Sequence, residues 1–400
     1  MNFDLSEDQQ AFKETARTFS DREFAPNAAA WDAGKIFPKD IIAKAGELGF
    51  CGLYCPEDIG GLGLSRLDTS IILEQLSMGC TSTTAFISIH NMATWMIAKF
   101  GSEETREEFC PNLVAGTTLA SYCLTEAGSG SDAASIKAKA VLNKDGLSKD
   151  GLSKNGRGDK YIVNGSKMFI SGAGSTDVLV VMVRTGELGP KGISTLVIPA
   201  DTPGISYGSN LEKMGWHSQP TKEISFENVE VPVQNRLGKE GDGFKIAMRG
   251  LDGGRINIAT CSIGTAQAAL NRTQNYLLER EQFGQSLAQF QALQFRLADM
   301  ATELVAARQM VRLAAFKVDK EDAEAGVYSA MAKRFATDVG FEVCNQALQL
   351  HGGYGYMQEY PLERYIRDTR VHQILEGTNE IMRLVISRRL LTMADIENIT

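Results

Sequence analysis

The spacing of hydrophobic residues divides the chain into three consecutive regions. From residue 4 to about 116, apolar positions recur every three or four residues, as at Ile41, Ile42, Ala45 and Leu48. This is the period of helices that bury one face. The first region is therefore predicted to be helical.

The second region, from residue 120 to 233, has the pattern of short strands. The apolar run at 178–183 is typical of a buried strand, and residues 223–229 alternate as a half-exposed strand does. Asn164-Gly165 lies between two β-rich runs and predicts a tight hairpin. We expect an antiparallel β domain here.

A polar segment inside this region repeats in tandem. Residues 144–156 carry Lys-Asp-Gly-Leu-Ser twice and then Lys-Asn-Gly. We interpret the segment as a lengthened, exposed hairpin loop, because insertions in surface loops cost little free energy.

The helical period returns in the third region and continues to the end of the chain. Leu293, Leu297, Met300 and Leu304 recur at spacings of four, three and four. Such long apolar stripes are typical of helices that pack in a bundle.

The three regions predict an α+β multidomain protein. Its parts would be an all-α N-terminal domain at 1–119, a middle antiparallel β domain at 120–233 and a C-terminal four-helix-bundle domain at 234–400. A doubly wound parallel sheet is not expected, because the strands are not interleaved with helices. No GxGxxG motif follows a strand into a helix, so a dinucleotide-binding Rossmann unit is not expected either.

Composition narrows the function classes. The 400 residues are 43% hydrophobic and carry a formal net charge of -8. Lys and Arg are scattered, which argues against a nucleic-acid surface, and no apolar run approaches the roughly 20 residues that span a bilayer. The N-terminus resembles neither a secretion signal nor a transit peptide, so a cytoplasmic protein is predicted, or one of the mitochondrial matrix if the chain is a processed eukaryotic protein.

The seven cysteines and four histidines do not suggest a metal site. They lie mostly in separate segments, and no pair is completed by further ligands at metal-binding spacing. We expect buried free thiols and no bound metal.

One stretch has the features of a catalytic position. Residues 374–381 place Glu376 and Gly377 between two helical runs, where a carboxylate can approach a ligand beside a residue without a side chain. An ordinary charged helix junction is the alternative interpretation.

Three other segments are candidates for ligand contacts. The loop at 122–132 is rich in glycine and hydroxyl residues, and the segment at 349–356 ends a helix with glycines. The third candidate combines residues 251–256 with Arg280 and Phe283. A buried arginine needs an anion, which is a ligand group or a protein carboxylate. A polar surface turn, a helix stop and a salt bridge are the respective alternatives.

Together these segments resemble the acyl-CoA dehydrogenase family from about Leu5 to Leu391. Two family signatures are matched, at 124–132 and at 349–355. The second signature continues downstream to Arg364 and Asp368. Ala127 departs from the pattern, because many members carry proline there.

The resemblance implies an FAD site at the junction of the β and C-terminal domains, and it implies a homotetramer. From one chain, the residues expected at FAD are Tyr122, Leu124, Thr125, Ser131, Phe169, Ile170, Ser171, Thr378, Asn379 and Glu380. A neighbouring subunit is expected to add Arg280, Phe283, Gln291, Gln349, Leu350, His351, Gly352 and Gly353.

The resemblance also implies the chemistry. Glu376 is expected to remove the α-proton of an acyl-CoA while the β-hydride goes to the flavin, and the Glu376 N–H is expected to polarise the thioester oxygen. Some members carry the base at the position of Gly254, which cannot act as one here. The residues expected at the substrate are Ser131, Asp252, Gly253, Gly254, Arg255 and Gly377.

Segments 82–92, 215–221 and 253–259 are similar to those of members that act on short branched substrates. The expected reaction converts isobutyryl-CoA to methacrylyl-CoA in valine catabolism, with electrons passed to electron-transferring flavoprotein. Short-chain or 2-methylbutyryl-CoA dehydrogenation, an acyl-CoA oxidase and a non-catalytic flavin- or CoA-binding protein are the alternatives.

Overall fold

The N-terminal region is helical, as predicted. We describe a computed structural model that covers residues 4–143 and 159–392. Ser6 accepts a hydrogen bond from the N–H of Gln9 at 3.2 Å, and the Gln9 side chain accepts one from the N–H of Ser6, which forms a capping box. The helices are α1 (Glu7–Phe19), α2 (Ala28–Gly34), α3 (Lys39–Glu47), α4 (Arg66–Gly79), α5 (Thr81–Phe100) and α6 (Glu103–Val114).

The middle region forms one sheet in which most strand pairs are antiparallel. The order across it is β6, β7, β3, β2, β4, β5, β8, with β1 parallel to β4. The strands are β1 (Ala120–Cys123), β2 (Lys139–Asn143), β3 (Lys160–Ser171), β4 (Val178–Arg184), β5 (Ile193–Pro199), β6 (Ile205–Tyr207), β7 (Thr221–Pro232) and β8 (Arg236–Leu237). The sheet extends past the predicted boundary at 233, because β8 pairs with β5.

The predicted hairpin at Asn164-Gly165 is wrong. β3 runs through both residues as one strand and pairs with β2 on one side and β7 on the other. Gly165 instead lies at a register shift, with φ 137°, and a Cβ built on it would lie 2.6 Å from the Ala138 Cα. The turn-like pair thus marks a bulge where a neighbouring backbone approaches closely. The repeat at 144–156 lies outside the described residues.

The C-terminal region is a bundle of helices joined by short connections. Its helices are α7 (Gly243–Glu279), α8 (Gln291–Asp319), α9 (Ala325–His351), α10 (Leu362–Arg370) and α11 (Asn379–Thr392), with a small hairpin of β9 (Glu281–Gln282) and β10 (Gln285–Ser286) after α7. The predicted stripe on α8 faces the bundle, where Met300 and Leu304 are buried.

Helix α7 connects the three regions. Its first half packs against α5 in the same core as strands of the sheet, and its second half packs in the bundle with α8 and α9. The seven cysteines are buried and free, as predicted. Within residues 4–143 and 159–392, no cluster of metal-ligating side chains is present, and no helix has the length and apolar character to cross a bilayer.

Candidate active site

Glu376 lies at a break between two helical segments. A helical turn ends at Gln373, and α11 begins at Asn379. Glu376 and Gly377 both have left-handed backbone conformations, with φ of 55° and 93°. Such a conformation is rare for a residue with a side chain and is often found at functional sites.

The carboxylate of Glu376 faces a glycine on α7. A Cβ built on Gly254 would lie 2.6 Å from the Glu376 Oε2 and 2.9 Å from the Met92 Sδ. Gly254 therefore contacts the expected base directly. The absence of a side chain there makes room for the carboxylate.

One oxygen of the Glu376 carboxylate is withdrawn from solvent. This oxygen, Oε2, is buried and has no hydrogen-bond partner among the described residues. Burial raises the pKa of Glu376 to about 7, and the positive charges of Arg255 and Lys333 limit the rise. A carboxyl with this pKa is partly ionised near neutral pH and can act as a general base.

Two buried cations hold the backbone on either side of the break. Arg255 donates from Nε to the Glu376 carbonyl at 3.2 Å, and Lys333 donates from Nζ to the Gly377 carbonyl at 2.8 Å. Arg255 also pairs with Asp252 at 2.8 Å. The predicted buried arginine at 255 thus has a protein carboxylate as its anion, whereas Arg280 is exposed.

The glycine-rich loop after β1 is fixed by a buried ion pair. Lys167 Nζ donates to the Leu124 carbonyl at 3.0 Å and to the Glu126 carboxylate at 2.8 Å. Glu126 also accepts from the backbone N–H groups of Lys137 and Ala138. Next to it, the Thr125 carbonyl accepts from the N–H at 168, which ties this loop to β3.

Two aromatic residues lie near this loop. One has an exposed ring, and the other has a buried hydroxyl without a hydrogen-bond partner among the described residues. Phe169 is 63% exposed and has φ 61°, although it lies within a strand. The Tyr122 hydroxyl is buried without a partner among the described residues, and the Glu376 charge contributes to its raised pKa. Tyr122 and Glu376 therefore face a common region between the sheet and α7.

The predicted cofactor residues fall into two separate groups. One group consists of predicted residues on or near β1 and β3, at 122–131 and 169–171, together with those at 378–380. Arg280, Phe283, Gln291 and 349–353 lie at the other end of α7, where Arg280 stacks on Tyr354.

Not every predicted cofactor residue offers its side chain to a ligand. Ile170 and Leu350 are packed in cores, and His351 stacks on Tyr276 with ring centroids 4.2 Å apart. The Asn379 amide is bonded within the chain, to Lys333 among others. The side chains of these four predicted residues are thus packed, stacked or bonded within the chain.

Comparison with known proteins shows the family. Three acyl-CoA dehydrogenase domain profiles match in order: the N-terminal domain at residues 6–117, the middle domain at 121–229 and the C-terminal domain at 241–391. The mitochondrial isobutyryl-CoA dehydrogenase of Bos taurus is 55% identical over 387 residues, which are 97% of this chain and 90% of that protein. This chain belongs to the acyl-CoA dehydrogenase family.

Solved structures agree with this assignment. The butyryl-CoA dehydrogenase of Megasphaera elsdenii is 38% identical and superimposes with a TM-score of 0.91, over 98% of this chain and 100% of that one. A structure described as the electron transferring flavoprotein of Acidaminococcus fermentans is 42% identical with a TM-score of 0.92, over the same shares of the two chains. As a member of the family, the chain is an FAD-dependent oxidoreductase.

Two buried lysines near the candidate site of this acyl-CoA dehydrogenase were not predicted from the sequence. One is Lys333, which is fully buried on α9 and contacts the Glu376 break. A lysine within the apolar face formed by Ala330, Ala336 and Gly340 was the available signal. The other is the Lys167 ammonium, which no pattern in the β region indicated.

Proposed function

We propose that this acyl-CoA dehydrogenase oxidises a short branched acyl-CoA, with isobutyryl-CoA as the preferred substrate and methacrylyl-CoA as the product. The observation that carries the chemistry is the Glu376 Oε2, which is buried opposite Gly254 and has no hydrogen-bond partner among the described residues. The 55% identity to the bovine isobutyryl-CoA dehydrogenase supports the choice of acyl group.

The residues at the junction of sheet and bundle fit a flavin. An exposed aromatic face at Phe169 and an unpaired hydroxyl at Tyr122 are suited to a flat ring with polar edges. The loop at 122–132 leaves open space, because a Cβ built on Gly128 or Gly130 meets no atom within 4 Å. A bulky, acceptor-rich group can therefore approach this backbone.

We assign the cofactor contacts accordingly. The backbone of Tyr122 and Leu124 and the side chain of Thr125 would hold the flavin, with Phe169 and Ser171 beside the ring. Thr378 and Glu380 would meet it at the start of α11, where the helix N-terminus favours anionic groups. When bound, FAD supplies the acceptor for the hydride that leaves the β-carbon.

Glu376 would take the α-proton on Oε2, a buried atom that has no hydrogen-bond partner among the described residues. The N–H of Glu376 has no acceptor among the described residues and is free to donate to a thioester oxygen. The same residue would therefore remove the proton and stabilise the developing enolate charge.

The coenzyme A portion would contact Ser131 and the pair formed by Asp252 and Arg255. Ser131 is exposed at the mouth of the glycine-rich loop, and Asp252 is half-buried on α7. The substrate would lie beside the base next to three residues that have no side chains, Gly253, Gly254 and Gly377. Burial raises the pKa of Asp252, which favours a paired or hydrogen-bonded role for this carboxyl.

The two separate groups of predicted cofactor residues support an oligomer, and we propose the homotetramer that the family resemblance implies. Arg280 follows the end of α7, about 37 Å along the helix axis from Arg255 at about 1.5 Å per residue. One cofactor that contacts both groups therefore needs a second copy of the chain. Phe283, at 94% exposure, and Tyr356, at 77%, are large apolar surfaces that an interface would cover.

We further propose that electrons pass to electron-transferring flavoprotein. The match to the Acidaminococcus structure supports this partner.

We also propose a subcellular location, for which there are two candidates. The sequence predicts a cytoplasmic protein, whereas the bovine relative is mitochondrial. Subcellular fractionation of the source cells would decide between the cytoplasm and the mitochondrial matrix.

The substrate proposal is tested by kcat/KM with isobutyryl-, 2-methylbutyryl-, butyryl- and isovaleryl-CoA and a dye acceptor. We expect isobutyryl-CoA to give the highest value. A higher value with any of the other three would contradict the proposal. Fast reoxidation of the reduced flavin by oxygen, measured by stopped flow, would instead identify an oxidase.

A further inference from the structure

Lys333 is a fully buried lysine with no carboxylate bonded to it among the described residues. Its Nζ donates to the Gly377 carbonyl at 2.8 Å and to the Asn379 Oδ1 at 2.9 Å. Burying an ammonium group is costly unless its protons are bonded and its charge is balanced. Both of its acceptors are neutral, so the balancing charge has to come from elsewhere.

Asn379 extends this contact into a network. Its Nδ2 donates to the Asp338 Oδ1 at 2.7 Å and to the Thr337 Oγ1 at 3.0 Å. Asn379 is the first residue of α11. Lys333 thus joins α9 both to the backbone after Glu376 and to the start of the following helix.

A second cation acts on the other side of the break. Arg255 on α7 donates to the Glu376 carbonyl, one peptide before the carbonyl that Lys333 holds. Two consecutive carbonyls are therefore fixed by cations from two different helices. This arrangement constrains the two residues that have left-handed backbone conformations, Glu376 and Gly377.

We propose that Lys333 is a positioning residue for the base, which holds the Glu376–Gly377 backbone in its left-handed form and favours the ionised Glu376 carboxylate through its charge. The proposal rests on Glu376 being the base. It assigns Lys333 no contact with substrate or cofactor.

The groups around Glu376 set the sign of the effect. Arg255 and Lys333 favour its ionised form, while burial opposes it, and the Tyr122 hydroxyl and the Cys261 thiol are neutral neighbours. Lys333 in turn faces Arg255, Glu376, Asp338 and Glu380, and burial lowers its pKa to about 8. Removing the Lys333 charge should therefore raise the pKa of Glu376.

The test compares Lys333→Gln, which keeps a donor but removes the charge, with Lys333→Arg, which keeps the charge. The acidic limb of kcat/KM against pH should move up by about one unit in Lys333→Gln. In Lys333→Arg it should stay within about 0.3 units of wild type. Lys44→Gln, at an exposed position on α3, is the control and should leave the profile unchanged.

An infrared pH titration provides a readout besides turnover. The carboxyl band that is lost in Glu376→Gln identifies Glu376, and its midpoint should rise in Lys333→Gln. The proposal would be overturned if Lys333→Gln keeps both the wild-type midpoint of the infrared titration and the wild-type acidic limb of kcat/KM. If Lys333→Gln fails to fold, a limb displaced by a full unit in Lys333→Arg would overturn it instead.

The same experiment separates this inference from the proposed function. If Glu376→Gln retains turnover, Glu376 is not the base and the proposed chemistry fails. If Glu376→Gln is inactive but the Lys333 variants leave the titration unchanged, the inference about Lys333 alone is wrong.

Discussion

The Glu376 carboxylate occupies the space that any side chain at Gly254 would need. The Glu376 Oε2 lies 2.6 Å from the position of a Cβ at Gly254, a distance that real side chains do not tolerate. The base and this glycine are therefore interdependent. A side chain at position 254 and the Glu376 carboxylate could not adopt this arrangement together.

We predict that Gly254→Ala displaces the carboxylate and lowers kcat/KM by about 100-fold, because a shift near 1 Å at a reacting group has this cost. Steady-state kinetics with isobutyryl-CoA would measure the loss. Gly208→Ala is the matched control, since its Cβ would lie 3.5 Å from the nearest atom, the Glu223 Cβ. Equal activities of the two variants would show that the carboxylate relocates without cost.

The pKa of Glu376 predicts the pH dependence. Burial raises this pKa to about 7, and the base must be ionised to accept the α-proton. The value of kcat/KM should therefore fall about tenfold per pH unit below pH 7 and level off above it. A profile that is flat between pH 5.5 and 7.5 would contradict a base with this pKa.

The Lys167–Glu126 pair should stabilise the glycine-rich loop. Lys167→Met leaves the buried Glu126 carboxylate without its cation, which costs about 3–5 kcal/mol. Lys44→Met breaks an exposed pair with Glu23 and should cost less than about 1 kcal/mol. Urea unfolding and the flavin content after gel filtration would compare the two variants. Similar losses in both would argue against a special role for the buried pair.

The two-chain cofactor site predicts that Arg280→Ala weakens FAD retention. Arg280 is exposed in the single chain, so its replacement should leave the fold of one subunit intact. The ratio of flavin to protein after dialysis, with the oligomeric state from light scattering, would measure the effect. Arg22→Ala, exposed in the N-terminal region, serves as the control. A monomer that retains FAD as well as the assembled protein would contradict the shared site.

Much of the fold followed from the residue pattern. The helical period before residue 116 and after 244, and the strand runs between them, placed the three regions in the right order. The hairpin failed because Asn164-Gly165 has the same local preferences in a bulge as in a turn. The pairing of β3 with β7 on its other side, a contact distant in sequence, decides between the two.

The site was predictable at Glu376 and less so around it. A glutamate followed by glycine at a helix break is visible in the sequence, and the family resemblance gave it a role. The cations on its backbone were not visible, because Lys333 lies 43 positions before Glu376 and meets it only through the packing of α9 against α11. The bonds of the Asn379 side chain to other residues of the chain are likewise not visible in the sequence, so the sequence predicts it as a cofactor residue.

The most direct test of the account is anaerobic flavin reduction by isobutyryl-CoA in Glu376→Gln. The glutamine keeps the size of the side chain and the backbone N–H but cannot accept the α-proton. We predict that the variant binds FAD and isobutyryl-CoA with affinities near those of wild type, while the flavin reduction rate falls by at least about 1000-fold. A reduction rate within tenfold of wild type would show that Glu376 is not the base.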